Sequence, residues 1–131
     1  MSVSLRKITL LIFFVLVVIG CSYFIGFNPI PPVDRIRNAD IRDQTIGQSG
    51  SVPNDRLIQM YELFNGSTKT LFPSKWQVFG FIRLTYQNGN IGTIYIYSTS
   101  DSIGAFKFNG QYFRGGSDNS FKSFFNEITG G

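Results

Sequence analysis

Residues 8–19, from Ile8-Thr9-Leu10-Leu11 through Val17-Val18-Ile19, are apolar on every side of any helix they could form. A helix that packs on a soluble core carries a polar stripe for the water side, and this run has none. It comes directly after the charged pair Arg6-Lys7, so the segment has the positive and apolar regions of an export signal. The apolar character continues through Cys21-Ser22-Tyr23-Phe24-Ile25-Gly26-Phe27. From Ile8 that makes about 20 residues, enough to span the hydrocarbon core of a bilayer. Tyr23, Phe24 and Phe27 suit an aromatic belt at its edge. With Arg6 and Lys7 held on the cytoplasmic side, the remainder of the chain is expected outside the cytoplasm, in the periplasm or at the cell surface.

Val18-Ile19-Gly20-Cys21 resembles the lipobox of bacterial lipoproteins, in which aliphatic and small residues precede a Cys. The resemblance implies that Cys21 receives a diacylglyceryl group on its sulfur and becomes the mature N-terminus. It covers the first 21 residues and implies nothing about the rest. Two readings therefore stand side by side: a lipid anchor on Cys21 with residues 1–20 removed, or an uncleaved transmembrane helix.

The chain has 131 residues, a formal charge of +4, one Cys and no His. Without imidazole there is no Ser-His-Asp or Cys-His pair and no His-ligated metal. One Cys closes no internal disulfide and builds no thiolate zinc site. Asp55, Glu62, Asp101, Asp118 and Glu127 stand apart from one another at caps, turns or polar helix faces, and nothing pairs two of them for acid-base work. No catalytic residue, metal or cofactor is expected. Lys and Arg occur singly after Arg6-Lys7, so there is no basic stripe for nucleic acid.

The chain divides into an anchor segment at 1–27, a tether at 28–53 and a small α+β domain at 54–131. Pro29, Pro31 and Pro32 favour an extended, semi-rigid spacer. Val33 to Asp43 alternates charges of both signs with single aliphatics, read as a solvated face, and Gln44 to Asn54 is rich in Gly, Ser and Thr.

In the domain, Leu57, Met60, Tyr61 and Phe64 share one helical face, with Asn54 as cap and Gly66 at the end. A strand turning at Asn65-Gly66 is the competing reading. Trp76–Tyr86 and Ile91–Ser98 read as strands joined through Asn88-Gly89, which suits a type I′ turn. Ile103–Phe108 and Gln111–Arg114 come next, joined at Asn109-Gly110. Phe121, Phe124, Phe125 and Ile128 mark a C-terminal helix capped by Ser117 or Asp118 and closed by Gly130. The expected fold is an antiparallel four-stranded meander with two helices packed on one face, preceded by the membrane segment.

Strand alternation then sorts the side chains. Ile82, Leu84, Ile94, Ile96, Phe106 and Phe108 are expected in the core. Phe79, Phe81, Tyr95 and Tyr97, with Arg83 and Lys107, would line the opposite face, where exposed aromatics beside basic groups suit a protein partner. The competing reading has the tether, residues 33–52, folded back over that face, or the two faces exchanged. A second candidate is Arg114, Gly115, Gly116 and Ser117 at the start of the last helix, where free N–H groups could hold an anion or simply cap the helix. The expected function is a membrane-tethered, non-catalytic binding domain, with small-anion binding and a purely structural envelope role as alternatives.

Overall fold

The computed structural model describes residues 2–71 and 76–130. The apolar run folds as one helix, α1 (Ser2–Phe24), whose window Ser4–Cys21 buries nothing against the rest of the protein. It is long and apolar enough to cross a membrane.

The rest is α+β. β1 (Ile36–Asp43) and β2 (Gln48–Ser51) form a first hairpin; a 3-10 turn at Asn54–Arg56 leads into α2 (Leu57–Glu62), and β3 (Thr68–Thr70) comes after it. Then come β4 (Gln77–Tyr86), β5 (Ile91–Ser98), β6 (Ile103–Phe108), β7 (Gln111–Ser117) and α3 (Asp118–Thr129). Among the described residues the sheet has seven strands, all antiparallel, in the order β2-β1-β4-β5-β6-β7-β3.

The expected four-stranded meander, β4 to β7, is therefore the centre of a wider sheet. Two of the three further strands come from residues read as tether. In β1 the aliphatics Ala39 and Ile41 are buried against Leu84 and Ile82, while Asp40 and Arg42 point the other way. The alternation of charge with aliphatic is thus a strand with one dry and one wet face. Residues 33–52 extend the sheet at its edge rather than folding over it. β2 is polar throughout, and the third addition, β3, pairs with β7 at the opposite edge.

The core lies between one sheet face and the helices. Ile82, Leu84, Ile94, Ile96, Phe106 and Phe108 are all buried, as alternation requires, and they meet Met60 and Phe64 of the α2 segment and Phe121, Phe124 and Phe125 of α3. Phe106 sits at the centre: its ring stacks on Phe113 at 5.2 Å and meets Phe64 edge-on at 4.8 Å. Rings in these offset and edge-on arrangements add to the apolar area they bury.

Helix ends obey their sequence signals unevenly. Ser117 accepts a hydrogen bond from the Ser120 amide and Gly130 closes α3 in the left-handed region. Asn54 makes no such side-chain cap; Pro53 leads straight into the 3-10 turn. The two Asn-Gly turns also differ. Asn109 and Gly110 both take positive φ, the type I′ pattern, whereas at Asn88-Gly89 only Gly89 does. There the hairpin runs one residue longer, with Gly89 N–H donating to the Tyr86 carbonyl and Tyr86 N–H to the Asn90 carbonyl.

Candidate interaction face

Neither α2 nor α3 lies over the second face of the sheet. Register places on it one row of Arg42, Phe81, Tyr95, Lys107, Tyr112 and Thr70, each opposite the next on the neighbouring strand. A second row runs Val78, Tyr97, Ala105, Arg114 and Thr68, and a third pairs Asp40, Arg83 and Thr93.

The aromatic side chains of these rows touch. Phe81 and Tyr95 lie 6.3 Å apart, Tyr97 and Tyr112 6.1 Å, and Trp76, just before β4, reaches Tyr97 at 5.8 Å. Cations sit on two of the rings, Lys107 over Tyr112 at 5.2 Å and Arg114 over Trp76 at 5.6 Å. Tyr95 is 41% exposed and Arg83 is exposed, while the other rings are half-buried against one another. Among the described residues of these rows, Arg42, Arg83, Lys107 and Arg114 stand against the carboxylates of Asp40 and Asp101, so the surface is basic.

Five of the six residues expected on this face are there: Phe81, Arg83, Tyr95, Tyr97 and Lys107. Phe79 is not. The register of β4 against β5 shifts between Val78 and Gly80, and this β-bulge turns Phe79 to the helix side. Phe79 is only 8% exposed; its ring lies 5.2 Å from that of Phe125, and the Lys122 ammonium stands 5.8 Å from its centre. Val78 takes the outward position in its place, 40% exposed. Alternation read straight through a strand cannot see a bulge.

Trp76, Tyr112, Arg42 and Arg114 belong to the face, although strand alternation alone does not assign them to it. Tyr112 has a usable signal. A two-residue turn at Asn109-Gly110 pairs Phe108 with Gln111 and therefore Lys107 with Tyr112. Placing Arg42 depends on recognising β1 as a strand.

The second candidate set does not converge. Arg114 lies on the open face, where Nη2 donates to Asp101 Oδ1 at 2.6 Å and Oδ2 at 2.7 Å. This hydrogen bond holds the Asp101 carboxyl below the usual carboxylate range. Gly115 is buried, where a Cβ would come within 2.5 Å of the Ser67 Cα. Gly116 has φ +66, a turn any other residue would resist, and the Ser117 hydroxyl is occupied capping α3.

Burial pushes the Tyr97 phenol above its ordinary value, and the neighbouring Tyr112 phenol adds to the shift. The buried carboxylates serve local structure. Asp43 accepts from the Thr45 amide at 2.9 Å and hydroxyl at 2.6 Å to close the β1–β2 turn, and Asp118 pairs with Lys122 one helical turn on. Cys21 lies within α1, and its carbonyl accepts the Ile25 amide at 2.7 Å, so helical bonding runs past it.

Comparison with known protein families, with characterised proteins and with solved structures finds no match to this chain.

Proposed function

We propose that this protein is a membrane-anchored, non-catalytic interaction domain that binds a protein partner on the open, basic aromatic face of its sheet. The domain stands on the side of the membrane opposite Arg6 and Lys7. The observation that carries the reading is two neighbouring groups of paired rings, Phe81 with Tyr95 and Trp76 with Tyr97 and Tyr112, on a face that neither α2 nor α3 occupies. Half-buried rings with a polar end are the residues that anchor protein interfaces, because they bury large area with little loss of side-chain freedom. The surrounding Arg42, Arg83, Lys107 and Arg114 suit a partner segment carrying carboxylates.

For the anchor, the uncleaved helix is favoured over a lipid on Cys21. From Phe27 onward the chain is already committed to the domain fold, so little free spacer follows Cys21. An intact-mass measurement on membrane-extracted protein separates the two, since lipidation removes the first 20 residues.

A photo-crosslinking amino acid placed at position 95 in the full-length protein, in cells, should give a discrete protein adduct. The same group at Ile58, which is 60% exposed and sits on α2, should give none. Arg83→Glu together with Lys107→Glu should abolish the adduct without changing the melting temperature by more than a few degrees. Equal adducts from positions 95 and 58, or an adduct indifferent to the double charge reversal, would sink the proposed face.

A further inference from the structure

Only Ile25 and Gly26 separate the end of α1 from a residue built into the domain. Phe27 pairs with Ser67 in an antiparallel bridge, each amide donating to the other's carbonyl at 2.8 Å. Its ring meets Phe113 edge-on at 5.9 Å. Gly26 lies so close to the chain that a Cβ there would stand 2.9 Å from the Gly66 Cα. Asn28 then donates to the Tyr61 carbonyl at 2.8 Å and to Asn65 Oδ1 at 2.9 Å, and Ile30 is buried in the core. The region expected to be a free tether is thus fastened from its first residue. α1 and the domain have no slack between them.

From this we infer that the domain lies directly against the lipid surface, with the edge of the sheet at β3 as its membrane-facing side. The inference rests on the reading of α1 as a bilayer-spanning helix. An α-helix rises about 1.5 Å per residue, so Ile8 to Phe24 covers about 24 Å of a hydrocarbon core about 30 Å thick, and Phe24 and Ile25 come in its far part, close to the interface. Phe24 is 86% and Ile25 62% exposed, and α1 packs beside β3 at this end. Beside them Leu71 is 63% exposed. Tyr23, Phe24, Lys69, Thr70 and Leu71 line one shallow groove of about 540 Å³. An aromatic pair, an aliphatic side chain and an ammonium around one groove have the mixed chemistry of a bilayer interface. Apolar groups enter the acyl boundary, and the Lys69 ammonium meets lipid phosphates. A lipid headgroup with the upper part of its acyl chain is the occupant that this groove fits.

Such docking also sets where a partner must come from. Tyr95 and Phe81 lie on strands inside the sheet, away from the β3 edge. The open face therefore stands beside the membrane rather than on it, and it meets partners that are themselves close to the bilayer.

The test uses the full-length protein carrying Cys21→Ser, reconstituted in nanodiscs of phosphatidylcholine and phosphatidylglycerol. A single nitroxide label is attached in turn through Leu11→Cys, Leu71→Cys and Tyr95→Cys, all at exposed positions. Accessibility to dissolved oxygen should exceed that to a water-soluble nickel chelate at 11 and at 71, and the order should reverse at 95. A label at 71 as water-accessible as the one at 95, with 11 still lipid-immersed, overturns the docking and leaves the anchor intact. A water-accessible label at 11 overturns both.

Discussion

The two faces of the sheet use aromatic residues in opposite ways. The helix-covered face is filled with phenylalanine: Phe64, Phe79, Phe106, Phe108, Phe113, Phe121, Phe124 and Phe125 are all buried. The open face carries Tyr95, Tyr97, Tyr112 and Trp76, with Phe81 a plain hydrocarbon ring beside them. A Phe ring gains from complete removal from water, whereas Tyr and Trp keep a polar group that favours half-burial. The same ring area thus builds a core on one side and a surface with spare contact capacity on the other. Glycine divides the faces too. Gly80 and Gly104 sit where a Cβ would strike the Phe125 and Phe121 rings respectively, because α3 presses those rings onto the strands.

The largest expected difference between the faces comes from truncating one ring on each. Phe106→Ala should lower stability by about 3–5 kcal/mol in denaturant unfolding, the usual loss for a fully buried Phe. Tyr95→Ala on the open face should change it by no more than about 0.5 kcal/mol. Equal losses would mean that the open face is itself structural. Gly115→Ala comes next. Its Cβ meets the Ser67 backbone, so a strand must move, and a loss of about 1–3 kcal/mol by thermal unfolding is expected. An unchanged melting temperature would loosen the link between β7 and the start of β3.

The smallest effect is a pH dependence to which Tyr97 on the open face and Tyr86 beside the core both contribute. The Tyr97 proton is held more tightly in the folded state, through burial first and the Tyr112 phenol second. Above the ordinary tyrosine range of about 10 the unfolded chain loses this proton before the folded one does, so stability falls as pH rises there. Below that range the contribution is fully present. Tyr97→Phe should make this part of the stability profile shallower, leaving the contribution of the half-buried Tyr86 phenol, read by urea titration between about pH 8 and 11, on either side of that range. A variant with the same slope as the parent would show that Tyr97 holds its proton no more tightly than in the unfolded chain.

Much of this arrangement can be read along the chain. β5 and β6 fall where alternation puts them, and α3 has its apolar face, Ser117 cap and Gly130 terminus where the 3.6-residue period requires. Other elements carry too weak a signal. β1 shows its alternation only through Ala39 and Ile41, and β2 has no apolar residue of its own in Gln48–Ser51. An edge strand on such a short, polar sequence is fixed by the neighbour it pairs with. Phe79 illustrates the same point inside a strong strand, since its face depends on a register shift opposite Tyr97 and Ile96.

The apolar helix that begins the chain, the α+β class, the central hairpins and the identity of the core rings are all written in the order of residues. They arise from local period, turn chemistry and hydrophobicity, which act over a few residues at a time. Folding in three dimensions was needed to make residues 36–51 widen the sheet, to turn Phe79 inward and to bolt Phe27 to Ser67. Each of these depends on pairing between separate segments of the chain, where the energy of contact outweighs what either segment prefers alone.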